Sequence, residues 1–273
     1  MILGIHGSVR AGLPGALDEA EAAGVKALQL LPYRRHHLPT PEELAAFRAR
    51  REASAVTRLI VHSRFVPSLA SADEARRGRS VELLALELEL AQGLGAETFI
   101  IHAGAYSPGD TAENGLRRCG ESIAQAAGST DFKGTILIEN VPGGGRRLGA
   151  ALEEIARLRE STGARAKSGV CLDTAHAWAA GYDLSSAEGA LKFLARAHRL
   201  FGEDVLAFHL NDSRARLNSR REDHAHWGEG FLGREGLATL LSREEYADTP
   251  AILETPKTPG GDRRNLEFVG ALS

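Results

Sequence analysis

Six short apolar runs of this sequence carry, at or next to their last residue, a side chain that can bind a metal or move a proton. RLIVH (58–62) closes on His62 and ETFIIH (97–102) on His102, while TILIEN (135–140) carries Glu139. GVCLD (169–173) closes on Asp173, LAFHL (206–210) carries His209 and AILET (251–255) carries Glu254. His176 follows Asp173 by three residues, one helical turn on, so both can face one pocket. Glu222 and His224 stand two apart in a polar stretch, and in extended chain both point the same way. These nine groups are too many for one ion and suit three if a carboxylate bridges. Each uncompensated buried charge costs several kcal/mol, so four carboxylates and their imidazoles cannot be buried together unpaired. Divalent cations resolve that conflict, and a nitrogen and oxygen donor set without thiolate suits Zn²⁺, Mn²⁺ or Fe²⁺.

Taken singly, each residue has a plainer role open to it. A lone strand-end histidine is more often a hydrogen-bonded rim residue, and Asp173 before Thr174 reads equally as a helix cap. Six coincidences in register outweigh that reading. His6 also ends a run but is left out of the cage, His226 is a weaker ligand candidate, and His36, His37 and His198 read as solvated.

Something must bring these run ends together. With ILGIH (2–6) and KALQLL (26–31) the runs number eight, each short, aliphatic and continuous, as in strands buried on both faces of a parallel sheet. Between them, 13–23, 80–94, 112–127, 148–162 and 187–201 repeat apolar residues at three and four, the pattern of helices packed on a sheet. Gly24, Gly95, Gly163 and Gly202 follow helical stretches where C-caps belong. Eight alternations predict a closed α/β barrel, the TIM (β/α)₈ fold, whose strand ends converge on one rim. The 273 residues are read as a single domain, with one long, ordered, active-site loop over about 211–247.

Composition narrows the function. A net charge of −3, from 33 Lys+Arg against 36 Asp+Glu, excludes a nonspecific basic coat for nucleic acid but not a local basic face. No apolar run approaches the roughly 20 residues of a membrane span, and the N-terminus does not read as a secretory signal. Only two cysteines, Cys119 and Cys171, fit a reducing, cytoplasmic home.

The stretch GVCLDTAHAWAAGYDL (169–184) resembles the signature of the endonuclease IV family, zinc-dependent apurinic/apyrimidinic endonucleases on a TIM barrel. FHLNDSR (208–214), NSR (218–220), GEG (228–230), IIHAGAY (100–106), IENVPGGGRRLG (138–149) and ILET (252–255) follow the family's order and spacing. The resemblance implies hydrolysis of the phosphodiester 5′ to abasic sites in duplex DNA, with 3′-end phosphodiesterase activity as a companion. It also implies three ions: one on His62, His102 and a bridging Glu139; a second on Glu139, Asp173, His209 and Glu254; a third on His176, Glu222 and His224. Where the family reads Asp-Arg-His, this chain reads Glu222-Asp223-His224, so Asp223 is a competing ligand. Metal ions assist such hydrolysis by neutralising the phosphate, supplying hydroxide near neutral pH and stabilising the leaving oxygen. Glu139 and Glu254 are the candidates to orient or deprotonate the water.

Three divalent ions would turn the −3 into about +3. Arg34, Arg35, Arg64, Arg146, Arg147, Arg214, Arg216, Arg220 and Arg221 all follow strands, hence belong to the same rim. Phe65 falls where the family places an aromatic residue, usually Tyr, that inserts into DNA; FVPSL (65–69) and YRRHH (33–37) depart from its usual wording. One chain holds every ligand, so a monomer suffices. The rivals are a single-metal sugar isomerase or epimerase of the xylose-isomerase-like barrels, using Glu139, Asp173, His209 and Glu254, and a metal-stabilised DNA-binding module without catalysis. His62, His102, His176 and His224 have no task in the single-metal enzyme.

Overall fold

The computed structural model describes residues 1–272. Eight parallel strands close into a barrel: β1 (Ile2–His6), β2 (Ala27–Leu30), β3 (Arg58–His62), β4 (Thr98–His102), β5 (Thr135–Glu139), β6 (Ser168–Asp173), β7 (Val205–His209) and β10 (Pro250–Leu253). The order around the barrel is β1-β10-β7-β6-β5-β4-β3-β2, and a two-stranded antiparallel hairpin, β8 (Asp212–Ser213) with β9 (His224–Ala225), stands apart from it. The helices are α1 (Leu13–Ala23), α2 (Pro41–Glu52), α3 (Glu74–Leu94), α4 (Ala112–Gly128), α5 (Leu152–Thr162), α6 (Thr174–Ala180), α7 (Ala187–Phe201), α8 (Gly233–Leu241) and α9 (Gly261–Gly270). This is the TIM barrel expected from the alternation.

Side chains of the strands divide by parity. The outward set packs against the helices, with Phe47, Phe99 and Phe208 among the fully buried side chains. The inward set fills the barrel with Ala27, Ile60, Ile100, Leu137, Cys171, Ala207 and Ile252. Two residues further along each strand, on the same face, come Gln29, His62, His102, Glu139, Asp173, His209 and Glu254. An apolar plug is thus capped by a polar layer at the C-terminal rim, where a barrel carries its site. In β1 the same pair is Gly4 and His6; a Cβ on Gly4 would fall on the Ala27 carbonyl oxygen and the Ile252 side chain.

Several boundaries differ from the sequence reading. The helix expected from Ser80 starts at Glu74, because the Asp73 carboxylate accepts from the Arg76 N–H and caps it. The helix expected from Leu148 starts at Leu152, since Leu148 N–H instead donates to the Gly104 carbonyl. Helix α2 was not anticipated: only Phe47 of its twelve residues is fully buried, so its apolar stripe is faint. The interval read as one loop, 211–247, instead contains the β8–β9 hairpin and α8, which buries Leu237, Leu240 and Leu241.

Candidate metal centre

Glu139, fully buried at the end of β5, is the hub of the rim layer. Its Oε2 lies 3.0 Å from His62 Nε2 and 2.8 Å from His102 Nε2. Its Oε1 lies 3.0 Å from His176 Nδ1 and 3.1 Å from His209 Nδ1. Glu254 Oε2 stands 3.0 Å from His209 Nδ1, and Asp173 Oδ2 is 3.8 Å from the same nitrogen and 3.7 Å from His224 Nε2. Three sets offer ligand atoms within 4.8 Å of one another: His62, His102, Glu139; Glu139, Asp173, His209, Glu254; and Asp173, His176, His224.

The local sequence fixes each ligand. Asp173 does cap α6, its Oδ1 accepting from the His176 N–H at 2.6 Å, so cap and cluster are one arrangement. Asn140 brackets Asp173, donating to its carbonyl at 3.0 Å and accepting from its N–H at 2.7 Å. Asn211 Nδ2 donates to Asp173 Oδ2 at 2.7 Å, and its Oδ1 accepts from the Glu254 N–H at 2.9 Å.

The donor set fits cations. His62, His176 and His224 each set Nδ1 against a backbone carbonyl, of Ser63 at 2.9 Å, Asn140 at 2.9 Å and Glu254 at 3.2 Å. That bond puts the proton on Nδ1 and turns the Nε2 lone pair inward, the tautomer of a metal-ligating imidazole. Among the described residues, the Nε2 atoms of His176 and His224 are buried with no hydrogen-bond partner, which an ion would supply. Electrostatics point the same way. Burial opposes ionisation of Glu139, yet the imidazoles of His209 and His102 hold its carboxyl well below the usual range. Burial opposes protonation of His176, yet the charges of Asp173 and Glu139 raise it well above the ordinary histidine value. With no cation the ring itself is driven to take the positive charge; a metal ion would answer the same demand.

Eight of the nine expected ligands therefore meet, and Glu222 stands at the mouth, half-exposed, with Oε2 3.7 Å from His176 Nε2. The neighbouring His176 imidazole holds the Glu222 carboxyl down at about 2. Asp173 takes the acidic place beside His176 and His224 in the third set. Asp223 points away and pairs with Arg214 Nε at 3.3 Å. His226 is spoken for by Asn265 Nδ2 at 2.8 Å and Thr258 Oγ1 at 3.1 Å. Sequence reasoning missed Gln29, a polar residue inside an apolar run, although that interruption was itself a signal.

The candidate DNA contacts ring the same rim. Arg34, Arg35 and Arg64 line a depression of about 820 Å³ beside His6, and Arg146 and Arg147 line one of about 470 Å³ that reaches His102 and Glu222. Arg220 holds a positive φ of 59° and lies against Gly143 and Gly144 of the β5 loop. Phe65 and its neighbour Val66 are 54% and 59% exposed, an apolar pair that the sequence reading named only in part. The Arg64 guanidinium lies 5.6 Å from the Phe65 ring centre and 5.3 Å from that of Tyr33, with Nη1 donating to the Tyr33 carbonyl at 2.8 Å.

Comparison with known proteins places this rim in a family. Residues 17–272 match the family described as xylose isomerase-like TIM barrel. A relative from Solibacter usitatus named probable endonuclease 4 is 35% identical over all of this chain and 97% of its own length. Endonuclease 4 of one Thermus thermophilus strain is 37% identical, with 98% of this chain and 97% of the relative covered. The chain belongs to the endonuclease IV family. The crystal structure of endonuclease IV from another Thermus thermophilus strain superposes with a TM-score of 0.87 at 35% identity, covering 100% of this chain and 98% of that one. A D-tagatose 3-epimerase-like protein has a TM-score of 0.78 at 20% identity, which is a likeness of fold alone. The isomerase-like barrels thus share the scaffold with the endonuclease IV family, and the whole-chain sequence identity lies with the latter.

Proposed function

We propose that this protein incises duplex DNA on the 5′ side of abasic sites, using three divalent ions, zinc foremost, held by the rim layer. Its class follows from its family: it is a DNA-repair phosphodiesterase of the endonuclease IV type. The observation that carries the metal reading is the three overlapping ligand sets joined through Glu139 and Asp173. A single-metal sugar isomerase needs one of those sets and leaves four buried or half-buried imidazoles, His62, His102, His176 and His224, without a purpose.

When bound, the ions neutralise the phosphate, supply hydroxide near neutral pH and stabilise the leaving oxygen. The chain's own residues do the rest. His62, His102 and Glu139 hold the first ion, Glu139, Asp173, His209 and Glu254 the second, and His176 and His224 the third, with Glu222 completing it from the solvent side. Glu139 and Glu254 are the carboxylates placed to orient or deprotonate the attacking water. Arg34, Arg35, Arg146, Arg147 and Arg220 meet backbone phosphates, and Phe65 wedges into the stack at the lesion. All ligands come from one chain, so a monomer is sufficient. Among the described residues no helix is long and apolar enough to cross a membrane.

The test is incision of a duplex carrying one abasic analogue, with metal content measured on the same preparation. Cleavage should require two or three ions per chain, vanish with chelator and return with zinc. His102→Ala and Glu254→Gln should each cut turnover by orders of magnitude with the fold kept. Chelator-resistant cleavage, or unimpaired cleavage by both variants, would overturn the reading.

A further inference from the structure

Seven residues of the rim layer, His6, His62, His102, Glu139, Asp173, His209 and Glu254, can bind a metal or a proton; the eighth, Gln29, cannot, yet it is fully buried among them. Its amide meets three of these residues. Nε2 lies within hydrogen-bond reach of Glu254 Oε1 and 2.8 Å from His6 Nδ1, and Oε1 lies 2.8 Å from His209 Nε2. A carboxylate accepts and cannot donate, so the amide nitrogen must be the atom beside Glu254. That choice fixes the amide oxygen on His209. An amide oxygen only accepts, so His209 Nε2 must carry the proton.

The consequence falls on the other ring nitrogen. His209 Nδ1 is left to face Glu139 Oε1 at 3.1 Å, Glu254 Oε2 at 3.0 Å and Asp173 Oδ2 at 3.8 Å. His62, His176 and His224 do the reverse: their Nδ1 is held by a carbonyl and Nε2 turns inward. His209 takes its orientation from a side chain, one that substitution can remove. The same amide ties down one oxygen of Glu254 and leaves Oε2 free toward the cluster.

We propose that Gln29 is a positioning residue: it sets the tautomer of His209 and the carboxylate orientation of Glu254, so that Nδ1 and Oε2 converge on the ion shared with Glu139 and Asp173. The inference rests on the reading that this set holds a cation. Outer partners of this kind typically change metal affinity by about 10–100-fold when removed.

The experiment uses zinc-loaded full-length protein, with zinc alone as the probe. Gln29→Met keeps the length of the side chain and removes both the donor and the acceptor. Competition with a chromophoric chelator should show one ion weakened by about 10–100-fold and the others unchanged. Side-chain ¹⁵N spectra of the wild type should place the His209 proton on Nε2, with Nδ1 shifted as a metal-bound nitrogen. A proton on Nδ1, or equal affinity for every ion in Gln29→Met, overturns the proposal. Wild-type protein that binds no zinc defeats the metal reading instead, and the His209 tautomer in that protein then decides the role of Gln29. Should Gln29→Met fail to fold, the wild-type spectrum alone decides.

Discussion

Asp223 lies against Arg214, its Oδ1 3.3 Å from the guanidinium Nε, and so leaves Glu222 to face His176 Nε2 at 3.7 Å. Neighbouring side chains of extended backbone point to opposite sides, and Glu222 shares its side with His224, which begins β9. Asp223 is further committed by its carbonyl, which accepts from the Arg214 N–H at 3.0 Å. The competing-ligand reading of Asp223 therefore has no geometric support, while Glu222 keeps an approach to the third set. Glu222→Ala should weaken one ion by about 10–100-fold and leave the others in place. Asp223→Ala should leave metal content unchanged. Metal analysis after dialysis against buffered low zinc checks both; loss of an ion from the Asp223 variant alone would reverse the assignment.

How far the sequence could be read depended on how local the determinants are. Strands β3 and β4 were legible almost to the residue, because a continuous aliphatic run that stops at a histidine is a one-dimensional signal. The capping role of Asp173 and its ligand role both came from the four consecutive positions 173–176. Gln29 was not legible as a site residue, because its partners His6, Glu254 and His209 lie 23, 225 and 180 residues away and only barrel closure joins them. Helix α2 announced itself through a capping box, Thr40 with Glu43, behind Pro41, but its charged composition hid it. The segment 211–247 looked like a loop because polar and glycine residues dominate its first half, and the order there comes from one buried carboxylate.

That carboxylate is Asp212. Its Oδ1 accepts from the N–H groups of Ser213 at 2.8 Å and Leu232 at 3.0 Å, and its Oδ2 from Gly228 at 3.1 Å and Gly230 at 2.9 Å. A Cβ on Gly230 would collide with this carboxylate, which explains the glycine of the GEG motif. Asp212→Ala leaves four donors to find other partners, and each buried unsatisfied donor costs about 1–3 kcal/mol. We expect a loss of at least about 3 kcal/mol in denaturant unfolding, with the barrel retained by circular dichroism. A change below about 1 kcal/mol would show that the loop holds itself without Asp212.

Phe65 offers a test confined to DNA contact. Its ring is exposed and rests on Arg64, which is tied to Tyr33, so the side chain projects from a braced loop. Stacking of an aromatic ring on a base contributes about 1–3 kcal/mol. Phe65→Ala should weaken binding to an abasic duplex by about tenfold or more, with zinc content and thermal midpoint unchanged. Equal affinities of variant and wild type would remove Phe65 from the interface.

Glu87 gives a pH dependence whose sign can be worked out. This α3 carboxylate is buried; Ser63 Oγ donates to it at 2.6 Å and the Arg64 N–H at 3.2 Å, so it holds the loop that carries Phe65. Burial raises its carboxyl above the ordinary value of 4.5, and the hydrogen bonds from Ser63, Arg64 and Tyr33 recover only part of that shift. The Tyr33 hydroxyl, pushed up to about 12 by its own burial and by Glu87, stays protonated and remains a donor. A group that binds its proton more tightly folded than unfolded contributes stability that is full below the unfolded value and is lost as pH rises through the folded one. Glu87→Gln has no such titration. The unfolding free energy of wild type relative to Glu87→Gln should therefore be greatest below about pH 4.5 and shrink as the pH rises above it. Chelator-treated protein is the sample, so that metal release at low pH does not enter. A difference that stays flat or grows with pH would mean that the hydrogen bonds outweigh burial and that Glu87 is held as a carboxylate at no cost to the fold.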